Sequence, residues 1–233
     1  MALAHSPKIA TDGLVLCLDA GNTKSYPGSG TTWSDLSGNG NNGSLQNMDG
    51  ANLDSANGGS LTFDGSDEYV ISVTATSLGI NSASNSFTIS VWFKTTVTGE
   101  YYLFDNYNGS NDISLRIDDG SIEVLLAPSG GTGIINSVKF GSGYNNNNWH
   151  NFTITWNGSN VLTAYADGIN IGTNTTAISG SFETNAAFQI GKRPFGSPTR
   201  FSGNIANVSV YNKALSASEV KQNFNAFRGR FGL

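Results

Sequence analysis

Two asparagine-rich loops carry the side chains best suited to hold a ligand. Asn106-Tyr107-Asn108, closely followed by Asp112, places an aromatic ring beside amides and a carboxylate, and Tyr144 leads the run Asn145–Asn148. A flat ring can stack on the apolar face of a pyranose while amides and carboxylates bond its hydroxyls, so these residue types point to sugar binding. The same composition also suits an exposed turn, where Asn and Gly tolerate positive φ. Both meanings stand at this level. Catalysis is harder to assemble. His5 and His150 have no nucleophile partner in the pattern, and two histidines with one cysteine do not make a zinc site of the usual kind. Of the five glutamates, Glu219 falls in a helix cap and none joins a paired-carboxylate motif.

The elements that must position these loops read as strands. In Asn148–Thr173, Phe152, Ile154 and Trp156 alternate with Asn151, Thr153 and Thr155, the period of a half-buried strand. Asn157-Gly158-Ser159-Asn160 and Asp167-Gly168 then predict two reversals, the second a type I′ turn, making a three-stranded meander. Ser86–Thr95 alternates as strictly, with Phe87, Ile89, Val91 and Phe93 on one face and Thr88, Ser90, Trp92 and Lys94 on the other. Leu14–Asp19, Leu61–Val73 (broken by the Asp64-Gly65 turn), Tyr101–Asp105, Asp112–Ile117, Ile122–Leu126, Ile134–Phe140, Ala187–Gly191 and Ile205–Tyr211 complete the set. Ala20–Leu45 is nearly all turn formers, with Trp33 and Leu36 expected to tuck against a sheet. One helix is predicted at the end. Ser216-Ala217-Ser218-Glu219 is a capping box, Leu215 and Val220 form a staple, and Val220, Phe224 and Phe227 make an apolar stripe.

Several of these stretches resemble a known family. The Trp149-His150 pair entering a strand, the Tyr165-Ala166-Asp167-Gly168 turn, the FDG…EYV pattern of Phe63–Val70 and the closing YNKALSASEV of Tyr211–Val220 are similar to laminin-G-like domains. The resemblance spans about Leu61–Asn225 and implies an all-β, two-sheet antiparallel jelly-roll sandwich of the concanavalin A-like lectin/glucanase type with one short C-terminal helix. Retaining glucanases of that fold carry Glu-x-Asp-x-x-Glu on one strand, because both carboxylates must face the cleft about 5 Å apart. No glutamate here matches, so the resemblance implies no enzyme. Many laminin-G domains hold calcium at the rim through an Asp that opens a strand. Asp112 is the position that carries over, with hard oxygen ligands suited to that ion; its plainer meaning is the end of the 106–111 turn. Gly13–Gly40 is similar to a module that precedes laminin-G-like domains in virion proteins of bacterial viruses.

Composition bounds the partners. The 233 residues suit one domain, read as an arm at 1–12, a jelly roll at 13–226 (strand and long loop 13–60, core 61–226) and a tail at 227–233. Only 12% of residues are charged and the net charge is −5, which disfavours nucleic acid. No stretch has the length and hydropathy of a membrane span, the first residues do not read as a secretory signal, and Cys17, between Leu16 and Leu18, reads as a buried small hydrophobe. A lectin-like chain without an export signal reaches the outside if it is built into a virus particle released by lysis. The expected role is therefore a non-enzymatic virion surface protein, decorating capsid or tail, with other virion proteins and copies of itself as partners. A carbohydrate-binding adhesin recognising a host glycan is the alternative. The tail, with Phe227, Arg228, Arg230 and Phe231, mixes apolar anchors and arginines as interfaces do, and is expected, with the N-terminal arm, to serve attachment outside the core.

Overall fold

The computed structural model describes residues 8–109, 112–182, 186–195 and 199–233. In chain order the strands are β1 (Leu14–Asp19), β2 (Thr32–Trp33), β3 (Gly43–Gln46), β4 (Leu53–Asp54), β5 (Ser60–Asp64) and β6 (Tyr69–Ile71). Then come β7 (Phe87–Lys94), β8 (Glu100–Asp105), β9 (Asp112–Asp118), β10 (Ser121–Ala127), β11 (Ile135–Phe140) and β12 (His150–Trp156). The last are β13 (Leu162–Ala166), β14 (Ile169–Asn174), β15 (Gln189–Ile190) and β16 (Ser202–Tyr211), followed by helix α1 (Ala217–Phe227).

They form two antiparallel eight-stranded sheets packed face to face as a jelly-roll sandwich. The first runs β14-β13-β12-β7-β16-β5-β4, with β1 on the far half of β16; the second runs β11-β10-β9-β8-β15-β6-β3-β2. The expected meander is there, and its Asp167-Gly168 turn has φ of 51° and 70°, as a type I′ turn demands. The Asp64-Gly65 turn, by contrast, joins the two sheets, because β5 belongs to the first and β6 to the second. Ala20–Leu45 contributes β2 and most of β3, with Trp33 fully buried and Leu36 half-buried.

Alternation along β7 delivers Phe87, Ile89, Val91 and Phe93 to the core between the sheets. Its other face is also buried, because α1 lies across it. Trp92 stacks on Phe224 (centroids 5.5 Å apart) and on Phe231 (4.4 Å), while Val220 packs with Tyr165, Tyr211 and Leu215. The predicted capping box is formed: Ser216 Oγ accepts from Glu219 N, and Glu219 Oε2 accepts from Ser216 N. Beneath α1 the polar residues Ser90, Asn151 and Thr153 satisfy one another. Cys17 is 4% exposed, and burial pushes its thiol up to about 11.

The chain ends depart from expectation. Phe231, placed by the sequence in a detached tail, is 8% exposed and wedged between Trp92 and Trp149. Arg230 reaches back to Asp19 (2.8 Å) and to the carbonyls of Gly58 and Gly59. On the N-terminal side, Ala10 N donates to Asn223 Oδ1, and the carbonyls of Lys8 and Ala10 accept from Gln222 and Tyr211. Residues 8–10 and 228–231 thus belong to the body of the domain, because the apolar outer face of the first sheet extends past α1 and recruits them. Residues 1–7 lie outside the described residues.

Candidate functional site

With α1 covering the first sheet, the outer face of the second is the one that no helix of the described residues occupies. Strict alternation along β9 turns Asp112, Ser114 and Arg116 to this face and Ile113, Leu115 and Ile117 to the core. On β8 a bulge between Tyr102 and Phe104 resets the phase, so Leu103 and Phe104 both enter the core while Tyr102 and Asp105 face outward with β9. The register then sets Asp105 opposite Ser114 on one side and opposite Gln189 of β15 on the other, with Asp112 two residues along from Ser114.

This juxtaposition collects oxygens that lack partners. Among the described residues, Asp105 Oδ2, both carboxylate oxygens of Asp112, Ser114 Oγ and Gln189 Oε1 are buried with no donor beyond a proton that the two aspartates can share. Asp105 and Asp112 are themselves fully buried, and the nearest cation to Asp112 is Arg193, at 3.9 Å. Burial drives both carboxyls well above the ordinary range, and the Asp105 charge pushes Asp112 further. Alongside lies a tighter network. Arg116 pairs with Glu123 (3.0 Å) and Glu100 (3.1 Å), and Tyr102 Oη donates to Glu100 while accepting from Arg116 and Arg193. Fully ionised, the four carboxylates of this patch would face two guanidiniums and be two positive charges short. An all-oxygen donor set short of two positive charges fits a divalent hard cation such as calcium. Asp105, Asp112, Ser114 and Gln189 would hold it, neutralising the excess and using the orphaned lone pairs. Glu100, Asp118 and Glu123 also cluster, but Arg116 and Lys139 already occupy them.

The sugar-site residues separate. Tyr107 is half-buried at the rim, its amide bonded to Asp105 Oδ1, with Arg193 stacked 4.0 Å over its ring and Phe195 against its edge. Asn106 is fully buried and its Oδ1 accepts from Ile113 N (2.8 Å), so it closes the loop and does not face a glycan. Asn108 is exposed beside Tyr107. Tyr144 sits at the other end of β9, where its amide bonds Gly120, so it lies about 20–25 Å from Asp112 at the usual strand rise. Its ring packs edge-on against His150, which is tied to Asp167 (2.9 Å). The two tyrosines therefore cannot share one ligand. Asp105, Ser114, Gln189 and Arg193 were not singled out in the sequence. The one local sign was Asp105 closing an apolar strand just before an Asn-rich loop.

An antiparallel two-sheet jelly roll with a helix over one face and polar loops at the rim defines the lectin-like class of β-sandwiches. The chain belongs to the concanavalin A-like lectin/glucanases superfamily, whose laminin-G-type family model matches residues 64–221. No curated protein sequence matches it. Solved structures similar to it include the binding domain of Paraclostridial mosquitocidal protein 1, at 21% identity and TM-score 0.69, over 93% of this chain and 53% of that one. The Trypanosoma rangeli sialidase in complex with 2,3-difluoro-KDN is 19% identical, TM-score 0.65, over 94% and 33%. The receptor-binding domain of botulinum neurotoxin C/D mosaic serotype is 16% identical, TM-score 0.62, over 92% and 51%. The chain thus spans between a third and about half of these relatives, and at such identity the likeness speaks for the fold alone. Among the described residues no helix is long and apolar enough to cross a membrane.

Proposed function

We propose that this domain is a non-enzymatic carbohydrate-binding module that recognises its ligand on the outer face of the second sheet, beside a rim calcium held by Asp105, Asp112, Ser114 and Gln189. The observation that carries the reading is the set of buried, unpartnered oxygens on three adjacent strands, immediately below the Tyr107 loop. A bound divalent ion would neutralise the patch and stiffen the 106–112 connection, presenting Tyr107 in one orientation. Membership of a lectin-like superfamily supports this, as do similar folds among toxin binding domains. A non-enzymatic role is supported by the described glutamates, each held in a structural contact: Glu68 by Asn52 and the Asp64 amide, Glu100 and Glu123 by Arg116, Glu219 by Ser216. Glu183 lies outside the described residues. Display in many copies on a virion surface, beside other virion proteins, is the setting we propose, and it rests on the resemblance of residues 13–40.

A single aromatic platform adds only about 1 kcal/mol beyond its buried area, so one site binds weakly and adhesion comes from repetition. The test is retention of a polysaccharide panel on a multivalent display of wild type and Tyr107→Ala, in calcium and in chelator. Calcium-dependent retention that Tyr107→Ala abolishes is the expected result. Absence of retention by wild type across the panel in both conditions refutes the carbohydrate reading.

A further inference from the structure

The segment after β15 carries Lys192, Arg193 and Arg200, three of the twelve cations of a chain whose net charge is −5. Arg193 is absorbed by Tyr107, Tyr102 and Asp112. The other two differ. Lys192 and Arg200 face each other across an antiparallel bridge, which turns both side chains to the same side, and both settle over Tyr69: Lys192 Nζ 4.0 Å and the Arg200 guanidinium 5.3 Å from the ring centroid. Tyr69 projects from β6 on the outer face of the second sheet, since Val70 between Tyr69 and Ile71 fills the core. Among the described residues no carboxylate pairs with Lys192 or Arg200. Arg200 spends Nε on the Ser66 carbonyl, and its Nη1 is buried with no acceptor.

Two like charges held together on one ring repel each other, and burial together with Arg200 lowers the affinity of Lys192 for its own proton. The aromatic face returns part of that cost but leaves the charges uncompensated. Phe195, three residues on from Lys192, is 59% exposed and packs edge-on against Tyr107, so an open aromatic ring stands at the Tyr107 rim. A planar anion bonded by a guanidinium fork and an ammonium, on a ring-shaped body that stacks on an aromatic face, satisfies both features at once.

We propose that Lys192, Arg200 and Tyr69 form an acid subsite that takes the anionic group of an acidic polysaccharide, a carboxylate or a sulfate borne on a sugar ring. The proposal rests on the carbohydrate reading above and names the charge class of its ligand. Strand spacings put Tyr69 roughly 12 Å from Asp105 across β15, on the same face, so a short oligosaccharide reaches from this subsite to the Tyr107 rim.

The experiment compares retention of neutral, carboxylated and sulfated polysaccharides, and of vesicles containing anionic lipid, by multivalent wild type, Lys192→Ala, Arg200→Ala and the conservative Lys192→Arg. Acidic glycans should be retained by wild type and lost progressively with added salt, weakened about tenfold by each alanine and kept by Lys192→Arg. The carboxylated and sulfated arms identify which anion is read. Salt dependence is measured on the wild type, so the proposal remains testable if a variant folds poorly. Equal retention of neutral and acidic glycans, unchanged by either alanine, overturns the acid subsite while leaving the carbohydrate reading standing. Retention of anionic vesicles without acidic glycans also overturns it. Retention of nothing removes both.

Discussion

Replacing Asp112 by Asn should separate the two things its carboxylate does. The group is fully buried and faces Asp105, and Arg193, 3.9 Å away, is its one ion-pair partner among the described residues. Its folded value lies above the ordinary 3.8, so between those two values the native state holds a proton that the unfolded chain has lost. The sign follows: without metal, stability is greatest at low pH and falls as pH rises through that window. Because pH 7 lies about three units above the ordinary 3.8, holding that proton costs at most about 4 kcal/mol at 1.36 kcal/mol per unit, and water entry reduces this to about 2–4 kcal/mol. Calcium acts in the opposite sense, binding the ionised pair and displacing the proton. At a hundredfold excess over Kd it adds about 2.7 kcal/mol, or about 5–10 °C in Tm for a domain of this size. Wild type and Asp112→Asn would be melted by calorimetry in excess calcium and in chelator, at about pH 5 and about pH 8. Wild type should melt higher with calcium, most at the higher pH. In chelator at about pH 8, Asp112→Asn should melt above wild type, because the amide is neutral without taking up a proton, and calcium should not move it. Superimposable wild-type curves with and without calcium would refute the metal site. An Asn variant less stable than wild type in chelator would refute the electrostatic reasoning.

Other consequences follow from the packing. Phe231→Ala should cost about 2–4 kcal/mol and change the tryptophan fluorescence, since the ring lies against Trp92 and Trp149; unaltered denaturant midpoints would return residues 228–233 to the status of a detached tail. Gly168→Ala should destabilise by about 1–3 kcal/mol in urea, because φ is 70° and an added Cβ would lie 2.9 Å from Phe224 Cβ. Ser216→Ala should lose about 1 kcal/mol from the capping box, read by the same titration. Cys17 should resist a thiol reagent at neutral pH until the protein unfolds, and stoichiometric labelling of the native state would contradict its burial.

Where one face of a strand is apolar and the other polar, the amino-acid order alone was decisive. Phe87–Lys94 and His150–Trp156 alternate without interruption, so their faces, the Asp167-Gly168 turn and the capped helix at Ser216 were all legible. Local chemistry suffices there, because period 2, positive φ and a reciprocal cap involve residues a few positions apart. The site was legible only in part. Asp112 was visible as an acid opening a strand, but its companions came from elsewhere in the chain. Asp105 faces outward because of a bulge that breaks the very alternation used to read β8, and Gln189 reaches it from a two-residue strand too short to carry a pattern. Nor could spacing show that Lys192 and Arg200 meet over Tyr69, more than a hundred residues earlier, or that Phe231 returns to Trp92. Those pairings depend on which strands become neighbours. Sheet order is a property of the whole core, decided when the two apolar faces close on each other, and no local window of the sequence contains it.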